Sequence, residues 1–323
     1  MRVLIVGAGA IGQVFGYAFS EGGAEVSFLT RPKYAAAARA GWVLYPMNRG
    51  ASSRAEPIRF DGFSVLTDQD EALKESWDLV VLAISSVALR NGDWFDRLSK
   101  SLGDAHLLSL LSGSDDPAYI VGRVPEERVC WGMLAVISFQ APLPEQDLPE
   151  VGVAYWFPWL SALGFSGPEV MTARLMDILA AGGMPVRRTK SVVGDVARSG
   201  PVLDKTILAL ECAGWSFATL RSDTALLDIA VQAMEESWTL AESLGKGSKS
   251  WWMRLLRPFH LRLLLRVAPW VMPFDLERFF AYHYAKVREQ QRLHLRTQIR
   301  ACETEGVSHP AMAELFTRLE RLD

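Results

Sequence analysis

Cysteine is scarce in this sequence, with only Cys130, Cys212 and Cys302 among 323 residues, and no two of them are close in the chain. A disulfide framework or a structural zinc site needs more cysteines than this, or cysteines at closer spacing. The scarcity therefore excludes the class of small disulfide-stabilised domains and predicts no metal site. It favours a reducing, cytoplasmic setting.

The chain also lacks a surplus of positive charge and long apolar runs. Lys and Arg number 34 against 37 Asp and Glu, which gives a net charge of −3 and a pI near 6.0. This balance argues against binding to nucleic acid. No uncharged apolar run reaches the length of about 18 residues that a membrane-spanning helix needs. The apolar run at the start is too short for a signal peptide, so no targeting segment is expected.

What the chain does have is a short apolar run at residues 2–6 followed at once by three glycines, Gly7, Gly9 and Gly12. The run predicts a strand buried on both faces, and a periodic helical stretch opens behind it. In a dinucleotide-binding βαβ unit, the first glycine allows a tight turn, the second lets the backbone approach a diphosphate, and the third allows close packing of the helix.

The diphosphate of such a cofactor lies on the positive end of the helix. The predicted contacts therefore include Ala10 and Ile11, at the helix start, beside the three glycines. An ordinary strand-to-helix turn is the alternative. A second strand, residues 25–29, follows after a Gly-Gly turn, as a βαβ unit requires, and this favours the nucleotide site.

The end of the second strand predicts which dinucleotide binds. An NAD site usually places Asp or Glu there to bind the ribose 2′-hydroxyl. This chain has Thr30 and Arg31 instead, a hydroxyl and a guanidinium that suit a 2′-phosphate. The sequence therefore favours NADP(H). The alternative is that Arg31 is a solvated loop residue next to Pro32.

Two further apolar strands, within residues 77–86 and 106–113, end in small polar residues. In an open parallel sheet the carboxyl ends of the strands face the ligand. Ile84, Ser85 and Ser112 are therefore predicted to contact the cofactor, and Ser112 also the substrate. Serine at a strand end is also a routine turn former, which is the alternative.

Strands alternate with helices up to about residue 188, including one strand expected over 129–137 and a helix over 170–181. This pattern predicts an α/β fold with a doubly wound, Rossmann-type parallel sheet over residues 1–188. Residues 189–323 predict an all-α second domain for substrate binding or dimerisation. Its long helices are expected over 195–217, 223–244, 276–303 and 310–322. A substrate cleft between the two domains is expected.

The opening GAGAIG motif, Arg31 and the order of a nucleotide domain before a helical domain together resemble the ketopantoate reductase family. The resemblance covers nearly the whole chain in order, but only the first motif matches letter by letter. It implies that NADPH delivers hydride to a 2-keto acid. It also implies that Lys205, in the first long helix of the second domain, binds and protonates the carbonyl oxygen. A lysine paired with Asp204 or Glu211 at the surface is the alternative.

Four positions depart from the family pattern. The family usually has Lys at Ser85, Asn at Ser112, Asn at Ala209 and a substrate-binding Glu at Gln290. Several polar contacts to ketopantoate are therefore missing. A site built to hydrogen-bond a hydroxyl discriminates strongly, so their loss predicts an altered substrate. Ser112, Ala209 and Gln290 remain candidates for contact with it.

A second polar cluster follows in the helix predicted over 276–303. His283, Lys286 and Gln290 are spaced to share one helical face. If that face meets the substrate, His283 is a second candidate proton donor and Lys286 a candidate anion contact. If it meets water, it is an ordinary solvated face.

The stretch from Lys246 to Pro273 is basic, rich in tryptophan and free of acidic residues. Amphipathic basic segments of this kind can lie on anionic membranes, so residues 248–270 are a candidate for peripheral membrane contact. An apolar lid or a helix pair at a homodimer interface is the alternative interpretation.

The sequence as a whole predicts an NADP-dependent oxidoreductase that reduces the carbonyl of a small-molecule, 2-keto acid-like substrate. A protein that binds NADP(H) as a sensor or scaffold, without turnover, is the alternative.

Overall fold

The computed structural model describes residues 1–48, 56–111, 113–159, 161–247, 249, 253 and 255–322. The chain divides into two compact units, Met1–Val192 and Val193–Asp323. The first contains the sheets and the second is helical, which confirms the predicted fold class. The domain boundary expected at residue 188 lies just before this division.

Twelve strands occur in the described part of the first unit. They are β1 (Arg2–Val6), β2 (Glu25–Leu29), β3 (Trp42–Pro46), β4 (Ile58–Phe60), β5 (Ser64–Leu66), β6 (Leu79–Leu82), β7 (His106–Ser109), β8 (Val129–Met133), β9 (Ile137–Ala141), β10 (Gly152–Trp156), β11 (Leu163–Ser166) and β12 (Val186–Arg188). The main sheet has the order β12-β11-β8-β7-β6-β1-β2-β5. Its pairs are parallel except β8 with β11, which is antiparallel.

The helices of the first unit cover both faces of the main sheet. They are α1 (Ala10–Glu21), α2 (Ala35–Arg39), α3 (Gln69–Ala72), α4 (Ser86–Leu89), α5 (Trp94–Lys100), α6 (Asp116–Val121) and α7 (Glu169–Ala181). In β1, Val3 and Ile5 join the core formed with α1 and α7, whereas Leu4 and Val6 join the core formed with α5 and α6. Because alternate residues of a strand point to opposite faces, this apolar run serves two cores at once.

A second, four-stranded sheet with the order β4-β3-β10-β9 was not predicted. The single strand expected over 129–137 is wrong, because the chain leaves the main sheet after β8. It then pairs as β9 with β10, antiparallel, in the second sheet. Helix α1 contacts β9 and β10, so α1 packs on both sheets.

The second unit consists of helices. They are α8 (Val192–Cys212, starting at the last residue of the first unit), α9 (Phe217–Ser222), α10 (Thr224–Ser243), α11 (Pro258–Val271), α12 (Leu276–Lys286), α13 (Arg288–Glu305) and α14 (Pro310–Glu320). Among the described residues, no helix combines the length and the apolar character that crossing a bilayer would require.

Two of the long helices expected in this unit are broken. Helix α8 ends at Cys212 because Gly214 and Trp215 both take left-handed φ angles, 63° and 64°, before α9 begins. The helix expected over 276–303 is interrupted at Val287, whose N–H bonds to Tyr284 one residue short of the helical partner. The helical spacing of apolar residues continues through both breaks, so the sequence pattern did not reveal where the helices end.

Candidate functional site

The glycine turn after β1 has the geometry that a dinucleotide needs. Gly7 has φ +106°, and a Cβ there would lie 2.5 Å from the carbonyl oxygen of Ala83. A Cβ on Gly12 would lie 2.1 Å from the oxygen of Gly7. A Cβ on Gly9 meets no atom within 4 Å. Gly7 and Gly12 are therefore required by the fold itself, whereas Gly9 keeps an open approach to the backbone.

That open approach leads to the start of α1. Gly9 is the N-cap and is exposed, and Ala10 and Ile11 form the first turn with no acidic residue in it. The first N–H groups of a helix have no partner within the helix and carry the positive end of its dipole. These residues fit the diphosphate of a dinucleotide, which is anionic and needs backbone donors at close range.

Four strand ends meet at this edge of the sheet. The N–H of Gly7 donates to the carbonyl of Leu29 at the end of β2 at 3.1 Å. The N–H of Ala83 donates to Val6 at the end of β1 at 3.0 Å, and that of Leu110 to Leu82 at the end of β6 at 3.2 Å. The segments that follow β1, β2, β6 and β7 therefore start side by side. The structure brings the glycine turn, Thr30 and Ile84 to one edge, as parallel strands require.

The end of β2 carries cations and no carboxylate. Thr30 is buried, and Arg31 is exposed with its guanidinium carbon 5.0 Å from the ring centre of Tyr34. The ammonium of Lys33 lies 4.8 Å from the same ring. Within the described ranges no carboxylate forms an ion pair with either cation. The two cations flanking Tyr34 fit a phosphate on the ribose.

Ser85 and its neighbour have different roles in the structure. The Ser85 hydroxyl accepts the N–H of Ala88 at 3.1 Å and caps α4. This is the turn-forming role that the sequence left open. Ser112 lies outside the described residues. Ser86, which the sequence analysis passed over, is buried and donates to Asp116 at 2.6 Å.

Asp116 is the centre of a buried polar cluster that the sequence analysis missed. Its carboxylate accepts the Ser86 hydroxyl, the N–H of Gly113 at 2.8 Å and the guanidinium of Arg90 at 2.5 Å. These bonds join the segment after β6 to the segment after β7. The Asp-Pro pair at the start of α6 was a signal for a helix N-terminus, but nothing in the sequence links it to Ser86.

In the second unit, Lys205 is fully buried on α8. Its ammonium donates to Asp204 at 2.7 Å and to Gln298 of α13 at 2.5 Å. The expected alternative, pairing with Asp204, is therefore observed, but in the interior and not at the surface. Glu211 does not pair with the lysine, because it binds Arg288 at 2.9 Å and Arg292 at 3.1 Å.

Tyr284 of α12 interacts with Asp204, the carboxylate that pairs with this lysine. Burial and the carboxylate of Asp204 raise the pKa of the Tyr284 phenol well above its usual range. Its ring stacks on Trp215, with the ring centres 6.3 Å apart. Ala209, one helical turn after Lys205, is fully buried and its methyl side chain offers no hydrogen bond.

The predicted row of His283, Lys286 and Gln290 on one helix is wrong. The break at Val287 puts His283 and Lys286 on α12 and Gln290 on α13. Burial and the charge of Lys286 lower the pKa of His283 to about 4, so its imidazole is neutral at pH 7. Its ring stacks on Phe279 at 5.2 Å. Lys286 is exposed, with its ammonium 3.6 Å from the ring centre of Tyr282.

A family model matches most of the first unit of this chain. Residues 3–143 match the family model described as ketopantoate reductase PanE/ApbA. This match covers the glycine turn and the segments after β2, β6 and β7. A search of curated proteins gives no match.

Solved structures of low sequence identity match along the whole chain. A PanE/ApbA family ketopantoate reductase from Ralstonia eutropha JMP134 is 20% identical with a TM-score of 0.75, covering 100% of this chain and 98% of the other. A 2-dehydropantoate 2-reductase from Methylococcus capsulatus is 15% identical, with a TM-score of 0.73 and coverage of 100% and 96%. A D-mandelate dehydrogenase with NADH and anilino(oxo)acetate is 14% identical, with a TM-score of 0.71 and coverage of 99% and 97%.

At these identities the structural likeness establishes the fold, and the match to the family model adds the sequence signature. The glycine turn lies within the matched residues. In residues 3–143 this chain therefore carries the signature of the ketopantoate reductase family, and over its whole length it has the fold of that family's solved members.

Proposed function

We propose that this protein is an NADPH-dependent oxidoreductase that reduces the carbonyl of a 2-keto acid-like substrate other than ketopantoate. The observation that carries the proposal is the glycine turn. It leaves backbone N–H groups open at the start of α1, and the two cations at the end of β2 form no ion pair with a carboxylate among the described residues. The family model that matches this region describes a reductase of the same chemical class.

The first unit has the task of binding the dinucleotide. Gly9, Ala10 and Ile11 present backbone donors to the diphosphate, and Arg31 with Lys33 binds the 2′-phosphate. Ile84 lies against Gly7, on the path to the nicotinamide end. When bound, NADPH supplies the hydride.

The second unit has the task of handling the proton. Hydride addition to a carbonyl leaves negative charge on oxygen, which a positioned cation stabilises and a positioned acid protonates. A lysine ammonium has three N–H donors. Among the described residues, two of those at Lys205 are taken by Asp204 and Gln298, and the third is the one proposed to bind the carbonyl oxygen and donate the proton.

Of the two predicted proton donors, Lys205 is the one that we propose protonates the substrate. His283 is neutral at pH 7, since its pKa is lowered to about 4, and a neutral imidazole is a poor acid. The substrate is expected to differ from ketopantoate because Ala209 and Gln290 stand where the family has hydrogen-bonding and acidic side chains. A more apolar keto acid suits the methyl group of Ala209.

We also propose a cytoplasmic location. All three cysteines are free thiols in the structure, as a reducing compartment allows.

The test is NADPH consumption with a panel of 2-keto acids whose side chains range from short and polar to long and apolar. We expect turnover with at least one apolar member and weaker turnover with ketopantoate. Calorimetry with NADPH serves as the parallel measurement. Binding of NADPH without turnover of any 2-keto acid would replace this proposal with the sensor or scaffold alternative, and absence of binding would contradict both.

A further inference from the structure

Helix α11 is amphipathic, and in the described part of the second unit one of its faces packs on other helices. Leu261 and Leu265 are buried, where the helix contacts α9, α10 and α12. Arg262, beside them, donates to the backbone oxygen of Arg221 at 3.0 Å and to the hydroxyl of Thr224 at 2.9 Å. These contacts fix which face of α11 turns outward.

The outward face of α11 is apolar. Its exposed side chains are Phe259 (65%), Leu263 (49%), Leu264 (50%), Val267 (46%), Trp270 (89%) and Val271 (50%). Their spacing places them on one side of the helix. Together they form one contiguous exposed apolar patch, of the kind that marks an interaction surface.

The charged residues of α11 and of the segment that leads into it are all basic. Arg266 and Arg257 are exposed beside the patch, and the sequence contains no acidic residue between Glu242 and Asp275. Trp270 stands at the end of the patch, and tryptophan is one of the residues enriched at the boundary between water and lipid. An apolar stripe with basic flanks and an exposed tryptophan is complementary to anionic lipid headgroups over acyl chains.

We propose that the outward face of α11 binds an anionic phospholipid surface. The apolar stripe enters the boundary between headgroups and acyl chains, with Trp270 as its anchor, and Arg266 contacts lipid phosphates. A second copy of the chain suits this surface less well. A two-fold contact sets the same patch against itself, which would bring the arginines of α11 from the two copies together. The inference does not depend on the proposed reductase activity.

The test uses the full chain and co-sedimentation with vesicles of equal parts phosphatidylglycerol and phosphatidylcholine, compared with vesicles of phosphatidylcholine alone. We expect binding to the anionic vesicles only, and weaker binding as salt is added. Trp270→Glu is expected to lower the partition coefficient at least tenfold. Arg266→Glu is expected to lower it about thirtyfold, because a charge reversal removes two units of attraction.

The matched control is Trp159→Glu, which changes a tryptophan that is 83% exposed in the first unit. It is expected to bind vesicles like the unchanged protein. The replaced side chains are all exposed, and circular dichroism checks that each variant is folded.

Three outcomes would overturn the proposal. In the first, the unchanged protein stays in the supernatant with anionic vesicles. In the second, Trp159→Glu loses as much binding as Trp270→Glu. In the third, light scattering shows a dimer that Trp270→Glu converts to a monomer while vesicle binding is absent, so that a second copy covers the patch.

Discussion

The proposed nucleotide edge, which is the edge of the main sheet that holds the glycine turn, Thr30 and Ile84, differs from the surroundings of Lys205 in how its functional groups are presented. At the nucleotide edge the groups that matter are backbone N–H groups, and glycines keep them open. Around Lys205 they are side chains that already bind one another, Asp204 and Gln298 to the lysine. The first region is prepared for a ligand before it arrives, whereas in the second the proposed ligand binds a cation that Asp204 and Gln298 already hold.

This difference predicts that substitutions at the nucleotide edge act on folding and cofactor affinity, and that substitutions at the lysine act on turnover. The largest effect is expected at the glycine turn and the smallest at the exposed arginine that follows β2.

Gly12→Ala is expected to have the largest effect. Its Cβ would lie 2.1 Å from the oxygen of Gly7, a backbone atom that cannot move without opening the turn. We expect the free energy of unfolding to fall by about 5 kcal/mol, the upper end for one substitution. Urea denaturation measures it.

Gly9→Ala is the matched control for that experiment, because a Cβ at Gly9 meets no atom within 4 Å. We expect its stability to change by less than about 1 kcal/mol, while NADPH affinity falls because the methyl group blocks the approach to the backbone. Equal loss of stability in the two variants would contradict the assignment of Gly9 to cofactor approach.

Lys205→Met tests the second region. If the ammonium protonates the alkoxide, kcat is expected to fall about a thousandfold, or about 4 kcal/mol, with the dissociation constant of NADPH unchanged. Stopped-flow measurement of NADPH oxidation with the best keto acid gives kcat, and fluorescence titration gives the affinity.

Removing a buried lysine also leaves Asp204 and Gln298 without their partner, so the stability of the variant must be measured too. Lys205→Arg keeps a cation at this position and is expected to recover part of the stability but little of kcat. Lys100→Met, which changes an exposed lysine of α5, is the control. A Lys205→Met variant that is folded and turns over at the original rate would remove the lysine from the mechanism.

The same comparison explains which parts of the molecule the sequence predicted. The glycine turn could be predicted because its residues are close together in the sequence, and each glycine is needed for a local feature of the backbone. The second sheet was missed because β3 pairs with β10 from more than a hundred residues away, and no local pattern encodes that pairing. The cluster of Asp116 with Ser86 was missed for the same reason.

The breaks in the helical unit show a different limit. Val287 and Trp215 are ordinary helix residues by propensity, yet each stands at a helix end. At Trp215 the ring stacks on Tyr284, a tertiary contact from another helix. Packing of this kind overrides local preference, so His283 and Gln290 could not be placed from periodicity alone.

His283 gives the next prediction, which concerns stability against pH. Because burial lowers its pKa to about 4, the unfolded chain binds a proton between about pH 6.5 and pH 4 that the folded chain does not. The stability is therefore complete above pH 6.5 and falls as the pH drops towards 4. We expect a loss on the order of 2 kcal/mol, reduced from the full shift because the ring is partly exposed.

Urea denaturation at a series of pH values measures this loss, with His283→Phe as the control. That variant keeps an aromatic ring against Phe279 and removes the titrating group, so its stability curve is expected to be flatter between pH 6.5 and pH 4. Two parallel curves would mean that His283 is not the group responsible.

Arg31→Ala tests the choice of cofactor and is expected to have the smallest effect. The guanidinium is exposed and its only described side-chain contact is the ring and hydroxyl of Tyr34, so the folded structure does not depend on it. A charge-assisted bond to a phosphate at an exposed site contributes about 1.4 kcal/mol, or about tenfold in affinity. We therefore expect the dissociation constant of NADPH to rise about tenfold while that of NADH stays the same, as measured by calorimetry with both.

Lys33 remains near the same phosphate, which limits the loss, and Arg31→Ala with Lys33→Ala is expected to remove the preference. If both cofactors weaken equally in Arg31→Ala, the arginine acts on the shared part of the dinucleotide, and the end of β2 does not select NADPH.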